Sequence, residues 1–179
     1  MKPTPRFFAV ALAAAVALQA LLVAAHSPAQ AATSGVAAID TDCLAIQDAL
    51  PALHPIHVAL ENNKWTILSD ADFAVAQGTT TAITLADVYQ QGKSFAWVVA
   101  HRYDANGNQR AVQLCYRQSD GSLQRAKQAA TLPNLDAADV SVAYFAPDGT
   151  VLSKVGVVEV NDPMVAKQVS KLPFFSLLP

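Results

Sequence analysis

The chain has 179 residues and a formal net charge of −2, from 12 Lys and Arg against 14 Asp and Glu. This charge disfavours nucleic-acid binding, because that affinity depends on basic side chains that neutralise phosphates. The residues after position 31 carry 10 of the basic groups and all 14 acids. This part of the chain has the length of one ordinary domain.

The first 31 residues have the pattern of a cleavable secretory signal peptide. Lys2 and Arg6 precede an apolar run of 19 residues, Phe7–Ala25, and the small residues Ala29 and Ala31 follow it. A charged region, an apolar region and a small-x-small cleavage site in this order predict export. An uncleaved anchor is the alternative, because a membrane-spanning helix needs roughly 20 apolar residues. Cleavage would give a periplasmic or secreted protein without a membrane span.

The two cysteines, Cys43 and Cys115, are predicted to form a disulfide bond. Two distant cysteines of an exported chain most often pair. A loop of about 70 residues closed in this way would stabilise the fold by roughly 4 kcal/mol in the chain-entropy model. A catalytic thiol is the weaker interpretation, because the sequence contains no C-x-x-C pair and a lone thiol would oxidise in the oxidising compartment of an exported protein.

The N-terminal half of the exported chain gives a mixed pattern. Residues 32–41 are expected to form a flexible mature N-terminus, followed by a single α+β domain over 42–179. Thr41 or Asp42 can cap a helix, and Pro51 and Pro55 interrupt it, so a broken helix is predicted over 42–61.

The next segments are short and alternate between turn and apolar residues. Strands are predicted at 65–68 and 73–76, on either side of the turn-rich residues 69–72. Thr84 and Asp87 have capping-box spacing, so a short helix is predicted over 85–91, before Gly92.

The clearest pattern predicts a three-stranded meander over 94–128. Asn106-Gly107 is a preferred two-residue hairpin turn, here between strands 94–103 and 109–118. This turn would place Trp97 opposite Tyr116. The shared apolar face would then consist of Phe95, Trp97, Val99, Val112, Leu114 and Tyr116. Asp120-Gly121 would turn the chain into the third strand.

The C-terminal part predicts a second hairpin and a helix. Strands 140–145 and 150–160 flank the turn residues Pro147-Asp148-Gly149. Asp162 and Pro163 suit the start of a helix that ends before Pro173, and the apolar residues after it are expected to pack on the body. The fold class predicted is α+β, a mostly antiparallel sheet with an N-terminal broken helix and a C-terminal helix.

Basic and acidic residues are unevenly distributed along the chain. Acids dominate from Asp40 to Asp87 and bases from Lys93 to Lys127, so the two segments can face each other or be solvated. The alternative is an anion-binding face, whose residues would be Arg102, Arg110, Arg117, Arg125 and Lys127.

Few residues suggest specific chemistry. His101 and Tyr103 on the first meander strand, with Arg102 and Arg110, are the candidate ligand-binding residues. The aromatic residues of the meander could line a pocket, although aromatic side chains on one strand face more often form core. These are Phe95, Trp97, Tyr103 and Tyr116.

A metal site and a cofactor are not expected. His54 and His57 have an H-x-x-H spacing that can bind a metal on a helix, but Pro55 would disturb that helix and H-E-x-x-H is absent. G-x-S-x-G is also absent from the sequence.

Three functional hypotheses remain for this sequence. The first hypothesis is an exported accessory or binding protein of the bacterial cell envelope, with a protein partner and a binding, inhibitory or assembly role. The alternative is a small-ligand or enzymatic pocket that uses His101, Tyr103 and the meander arginines. A purely structural envelope component is the third hypothesis, and the oligomeric state is left open.

Overall fold

A computed structural model describes residues 28–78, 83–103, 109–131 and 139–179. These residues form one antiparallel sheet of eight strands, in the order β2-β1-β3-β4-β5-β6-β7-β8. The strands are β1 (Ile56–Glu61), β2 (Lys64–Leu68), β3 (Ile83–Gln91), β4 (Ser94–Tyr103), β5 (Gln109–Tyr116), β6 (Leu123–Thr131), β7 (Asp139–Phe145) and β8 (Val151–Val155). The helices are α1 (Pro28–Ala49) and α2 (Asp70–Gln77), and 3-10 turns lie at Leu50–Ala52, Val169–Lys171 and Phe175–Leu177.

The predicted meander and the predicted C-terminal hairpin belong to this one sheet. β6 pairs with β7 from Arg125–Tyr144 to Ala130–Asp139, which joins the two units. The α+β class and the mainly antiparallel sheet are therefore confirmed, and the sheet is larger than expected because β1, β2 and β3 precede the meander.

The register of the central hairpin differs from the prediction by one residue. Trp97 lies opposite Cys115, not Tyr116, and the last pair is Tyr103 with Gln109. Five residues therefore separate the paired strand ends, where a two-residue turn was predicted; Asn106-Gly107 lies outside the described residues. Because side chains alternate along a strand, this slip moves Trp97 to the opposite face from Leu114.

The second half of the predicted broken helix is a strand. β1 and β2 form a hairpin whose turn residues, Asn62 and Asn63, have φ values of 49° and 62°. Asparagine tolerates this left-handed backbone, and two such residues form the turn that suits the twist of paired strands. The Asn-Asn pair was the sequence signal for this hairpin.

The first half of the predicted broken helix is helical, and this helix, α1, begins further toward the N-terminus than predicted. Ile39, Cys43 and Ile46 are buried on one stripe of α1, at the spacing of successive helical turns. The expected flexible segment 32–41 is therefore part of α1, and the expected cleavage point after Ala31 lies within this helix. No helix of the described residues is long and apolar enough to cross a membrane. Residues 1–27 of the predicted signal lie outside the described residues.

The strand predicted at 73–76 is wrong, because these residues belong to α2. Ser69 is the N-cap and its Oγ accepts a hydrogen bond from the backbone N–H of Asp72 at 3.2 Å. Asp70 and Asp72 lie in the first turn, where carboxylates interact favourably with the helix dipole. The capping residues therefore favour a helix here more strongly than the short apolar run from Phe73 favours a strand.

The helix predicted over 85–91 is also wrong, because this segment is β3. It pairs with β1 on one side and β4 on the other. Leu85 is buried on one face of the sheet, and Ala86 and Val88 are buried on the other. Apolar and polar residues therefore do not alternate along β3 as they do in a half-exposed strand. Gly92 has the expected positive φ, 63°, in the turn into β4.

The sheet has hydrophobic clusters on both faces. On one face, α1 packs against Trp97 and Cys115, and α2 packs against Leu85. On the other face, the chain after β8 packs against Tyr116 and Phe145. Trp97 and Tyr116 are thus core residues on opposite faces, while Phe95 and Tyr103 are half-buried.

The predicted C-terminal helix is wrong, although Asp162 caps a turn as expected. Its Oδ1 accepts a hydrogen bond from the N–H of Met164 at 2.8 Å. The chain then extends, because Lys167 O accepts from the N–H of Leu123 at 2.9 Å, and it ends in two 3-10 turns. Phe174 is fully buried, which confirms that the terminal apolar residues pack on the body.

Candidate functional site

The disulfide predicted from the sequence is present. Cys43 of α1 and Cys115 of β5 are bonded, with their Cα atoms 5.9 Å apart, and both side chains are buried. The bond attaches α1 to the middle of the sheet. Neither thiol is therefore available as a nucleophile.

The side of the sheet that carries α1 and α2, here called the helix-side face, is partly uncovered. α1 covers the row of residues that contains Trp97 and Cys115, and α2 covers the corner at Leu85. Between the two helices lies a row of residues that are paired from strand to strand across the sheet. These residues are His57, Asp87, Val99, Gln113, Lys127, Val142 and Val155. Polar groups lie at the β1 end of this row and valines at the β8 end.

His57 and Asp87 form a hydrogen-bonded pair at the polar end of the row. His57 Nδ1 lies 2.7 Å from Asp87 Oδ1, and both side chains are largely buried. The imidazole stacks on Phe73 of α2, with ring centres 4.0 Å apart, and its Nε2 lies 3.6 Å from Asp70 Oδ1. These contacts hold α2 to the sheet as well as orienting the imidazole.

His101 and Tyr103 lie beside this pair and share a partner. Gln109 Nε2 is 3.1 Å from His101 Nδ1 and 3.3 Å from the Tyr103 hydroxyl. Burial lowers the pKa of His101, and the nearby Asp87 carboxylate opposes that shift only in part. Burial, reinforced by Asp87, raises the pKa of Tyr103. His101 is therefore a neutral hydrogen-bonding group at neutral pH, and Tyr103 keeps its proton.

Arg102 and Arg110 point to the opposite face of the sheet. Arg102 Nη1 lies 3.1 Å from Asp162 Oδ2, and Arg110 Nη1 lies 2.9 Å from Glu159 Oε1. Both acids belong to the C-terminal segment. The slot that His101 and these two arginines border has a volume of about 20 Å³, enough for one water molecule.

The four candidate ligand-binding residues therefore divide into two pairs. The side chains of His101 and Tyr103 interact on the helix-side face. Those of Arg102 and Arg110 form ion pairs with the C-terminal segment on the opposite face. Sequence reasoning missed Asp87 and Gln109, which lie with His101 and Tyr103. The pairing of Asp87 with His57 requires that both 56–61 and 83–91 be strands, and neither was predicted as one.

The five basic residues of the proposed anion-binding face are also dispersed. Arg125 pairs with Asp40 at 2.8 Å under α1, and Arg117 donates from Nε to Ser122 Oγ at 3.2 Å near the β5–β6 turn. Lys127 is exposed on the helix-side face. Arg102 and Arg110 face the other way, so the five do not form one surface.

His54 and His57 do not share a helix face. His54 is exposed in the connection before β1, and His57 is a residue of β1 that contacts Asp87. Within the described residues, no group of three or more His, Cys, Asp or Glu side chains is placed to hold a metal ion.

The outer strand β8 exposes an apolar surface. Val151, Leu152 and Val155 of β8 are exposed, with Val155 at 61%. Val157, two residues after the strand, is 77% exposed, and Val140 of the neighbouring β7 is also exposed. The charged residue of β8 is Lys154. We call these five apolar residues the β8 patch. Edge strands are usually protected by several charges, a proline or a covering element, because their free backbone groups can pair with another chain.

The opposite edge of the sheet is better covered. Trp65 of β2 packs against Phe174 with ring centres 4.9 Å apart, and Ile67 is the exposed large apolar residue of this strand. The two edges of the sheet therefore differ in how much apolar surface they leave open.

Comparison with known proteins does not identify the chain. It matches no protein-family model, and no similar curated protein or solved structure was found.

Proposed function

We propose that this chain is an exported binding protein of the cell envelope, and that its protein partner adds an extended segment to the sheet as a strand beside β8. The observation that carries this proposal is the β8 patch, in which Val155 and Val157 are largely exposed at the outermost strand of the sheet. Addition of a strand to an exposed edge is a recurring mode of peptide recognition.

The β8 edge offers both parts of such recognition. Backbone groups on the outer side of β8 supply affinity, and its side chains supply specificity. Val155 lies opposite Val142 on the helix-side face, and Lys154 lies opposite Ala143 on the other face. The partner strand should therefore carry apolar residues that contact Val155 and an acidic residue near Lys154.

Export is supported by two independent features. Residues 1–31 have the order of a secretory signal. The disulfide between Cys43 and Cys115 is of the kind that persists in oxidising compartments such as the bacterial periplasm. Both features favour a partner that is itself in the periplasm or outside the cell.

A ligand or enzymatic pocket built from His101, Tyr103, Arg102 and Arg110 together has less support. The two arginines are engaged by acids on the far face of the sheet, and the slot between them has room for one water molecule. We therefore favour partner binding over this alternative.

The proposal is tested by affinity capture with a matched pair of variants. The full chain is expressed with its export signal, and the processed protein is used to capture partners from the envelope fraction of its source. Val155→Lys alters the β8 patch, and Val75→Lys makes the same change at an exposed valine of α2. We expect Val155→Lys to reduce capture of the partner at least tenfold and Val75→Lys to leave it unchanged.

Hydrogen exchange of the captured complex locates the contact. The backbone amides of β8 should become protected when the partner binds. Capture that is equally strong with Val155→Lys, or protection confined to other strands, would contradict the proposal. A homodimer in light scattering that Val155→Lys converts to monomer would also contradict it, because the strand would then pair with a second copy.

A further inference from the structure

An open groove lies between α1 and the uncovered part of the helix-side face. Leu44 is 51% exposed and lies one helical turn after Asp40, on the same flank of α1. Asp42 lies on the opposite flank, where it borders a cleft with Gln118 of the β5–β6 turn. The flank with Leu44 therefore faces away from this turn, toward the row of strand residues that contains Lys127.

The floor of this groove is formed by two rows of paired strand residues. The first row runs from Val99 of β4 to Val155 of β8 and includes Lys127. The second row lies further from α1 and consists of His101, Ala111, Ala129 and Val140. The side chains of both rows are half-buried or exposed, and the two alanines leave space in the centre of the floor. We call this surface the α1 groove.

The α1 groove has the dimensions of one helix. Neighbouring rows on one face of a strand are about 7 Å apart, and the axes of packed helices are roughly 8–10 Å apart. A helix packed against α1 would therefore lie over the two rows of the floor. From β4 to β8 the sheet spans about 19 Å, which is the length of about 13 helical residues. α1 itself crosses the same strands, since it contacts β4, β6 and β8.

Lys127 indicates which charge such a helix should carry. Arg125, two residues earlier on the same face of β6, pairs with Asp40 of α1 at 2.8 Å. Lys127 is exposed, and none of the ion pairs found in the described part of the chain includes it. α1 thus supplies an acid to one basic residue of β6 and none to the next. A second helix beside α1 would complete this pattern with an acid that faces Lys127.

We propose that the α1 groove binds an amphipathic helix from the same protein partner whose strand lies beside β8. This inference rests on the proposed function, because Val155 belongs both to the β8 patch and to the floor of the groove. The helix packs apolar side chains on Leu44, Val140 and Val155, and it places an Asp or Glu against Lys127. Insertion of an amphipathic helix into a groove is a recurring mode of recognition. The partner therefore binds through a strand and an adjoining helix.

Photo-crosslinking locates the two parts of the partner separately. p-Benzoylphenylalanine is introduced at Ala129 in the groove, at Lys154 on the other face of β8, and at the exposed Ala74 of α2 as the control. The chain is exported, processed and exposed to the envelope fraction of its source. We expect Ala129 and Lys154 to crosslink to neighbouring segments of one protein. The segment at Ala129 should carry acidic and apolar residues at helical spacing, and Ala74 should not crosslink.

The crosslinks separate this inference from the proposed function. A crosslink from Lys154 without one from Ala129 would overturn the helix and leave the strand beside β8 intact. A crosslink from Ala129 alone would contradict the strand and not the helix, and the absence of both would contradict both. A second copy of this chain as the crosslinked protein would overturn the inference.

A charge reversal tests the role of Lys127. Lys127→Glu should reduce capture of the partner at least tenfold, because the acid of the helix would then face a like charge. Lys93→Glu, at an exposed lysine of the β3–β4 turn, is the matched control and should leave capture unchanged. Replacement of the acid in the crosslinked partner segment by Lys should restore binding to Lys127→Glu. Equal capture by Lys127→Glu and the parent protein would overturn the pairing of Lys127 with the helix.

Discussion

Arg125 of β6 donates from Nη1 to Oδ1 of Asp40 on α1 over 2.8 Å, and this contact crosses the interface between helix and sheet. The other carboxylate oxygen of Asp40 accepts from the Tyr144 hydroxyl at 2.9 Å. The Arg125 guanidinium is buried, and its carbon lies 5.7 Å from the centre of the Trp97 ring. Asp40 is one helical turn before Cys43, so an ionic and a covalent contact hold α1 at adjacent points.

Removal of the Asp40 charge should destabilise the fold. We expect Asp40→Asn to lower the free energy of unfolding by about 2 kcal/mol, because Arg125 would stay buried without its counter-charge and Asp40 is itself partly exposed. Asp48→Asn, on the exposed side of α1, should change it by less than about 0.5 kcal/mol. Urea unfolding monitored by circular dichroism measures both. Equal effects of the two changes would show that the Asp40 contact contributes nothing specific.

Reduction of the disulfide should have a larger effect. Cys43 and Cys115 are separated by 72 positions. In the chain-entropy model a loop of this length stabilises the folded state by about 4 kcal/mol. The double variant Cys43→Ala, Cys115→Ala should lose stability of this order, and the parent protein should lose it on addition of dithiothreitol.

The double alanine variant is also the control for the reductant. Its unfolding curve should not change when dithiothreitol is added, because it has no disulfide to reduce. Mass spectrometry of the parent protein before and after reduction should show a gain of two hydrogens. Two free thiols in freshly purified protein would contradict the structure.

The sequence predicted best those features that depend on a few adjacent residues. The Pro147-Asp148-Gly149 turn is present, with Gly149 at a φ of 82° and Asp148 Oδ1 accepting from the N–H of Thr150 at 2.9 Å. Gly121 has a φ of 70° in the other predicted turn. The disulfide followed from compartment chemistry alone. Each of these is set by local geometry or covalent chemistry that the residue types reveal.

Elements whose identity depends on distant contacts were predicted less well. Asp162 begins a helical turn, yet the backbone that follows pairs with Ser122 and Leu123, so the helix does not continue. β3 is buried on both faces and lacks the polarity pattern of a half-exposed strand. The pairing of His57 with Asp87, 30 positions apart, could not be found without the β1–β3 register.

The buried position of His101 predicts a specific pH dependence. Burial lowers the pKa of His101 below the ordinary value of 6.5, so the unfolded chain takes up this proton at a higher pH than the folded protein does. The unfolded state therefore binds more protons in that interval, and the free energy of unfolding should fall as the pH is lowered through 6.5. The loss should stop below the pKa of folded His101, where both states are protonated.

The His101→Gln variant should reduce this pH dependence. Glutamine does not titrate and can still hydrogen-bond to Gln109, so the difference in unfolding free energy between pH 7.5 and pH 5.0 should become smaller. His54→Gln, at an exposed histidine, is the matched control and should leave that difference as it is in the parent protein. Urea unfolding at the two pH values measures all three proteins. If His101→Gln kept the full difference, His101 would not be the group responsible, and its burial beside Gln109 and Tyr103 would have no effect on acid stability.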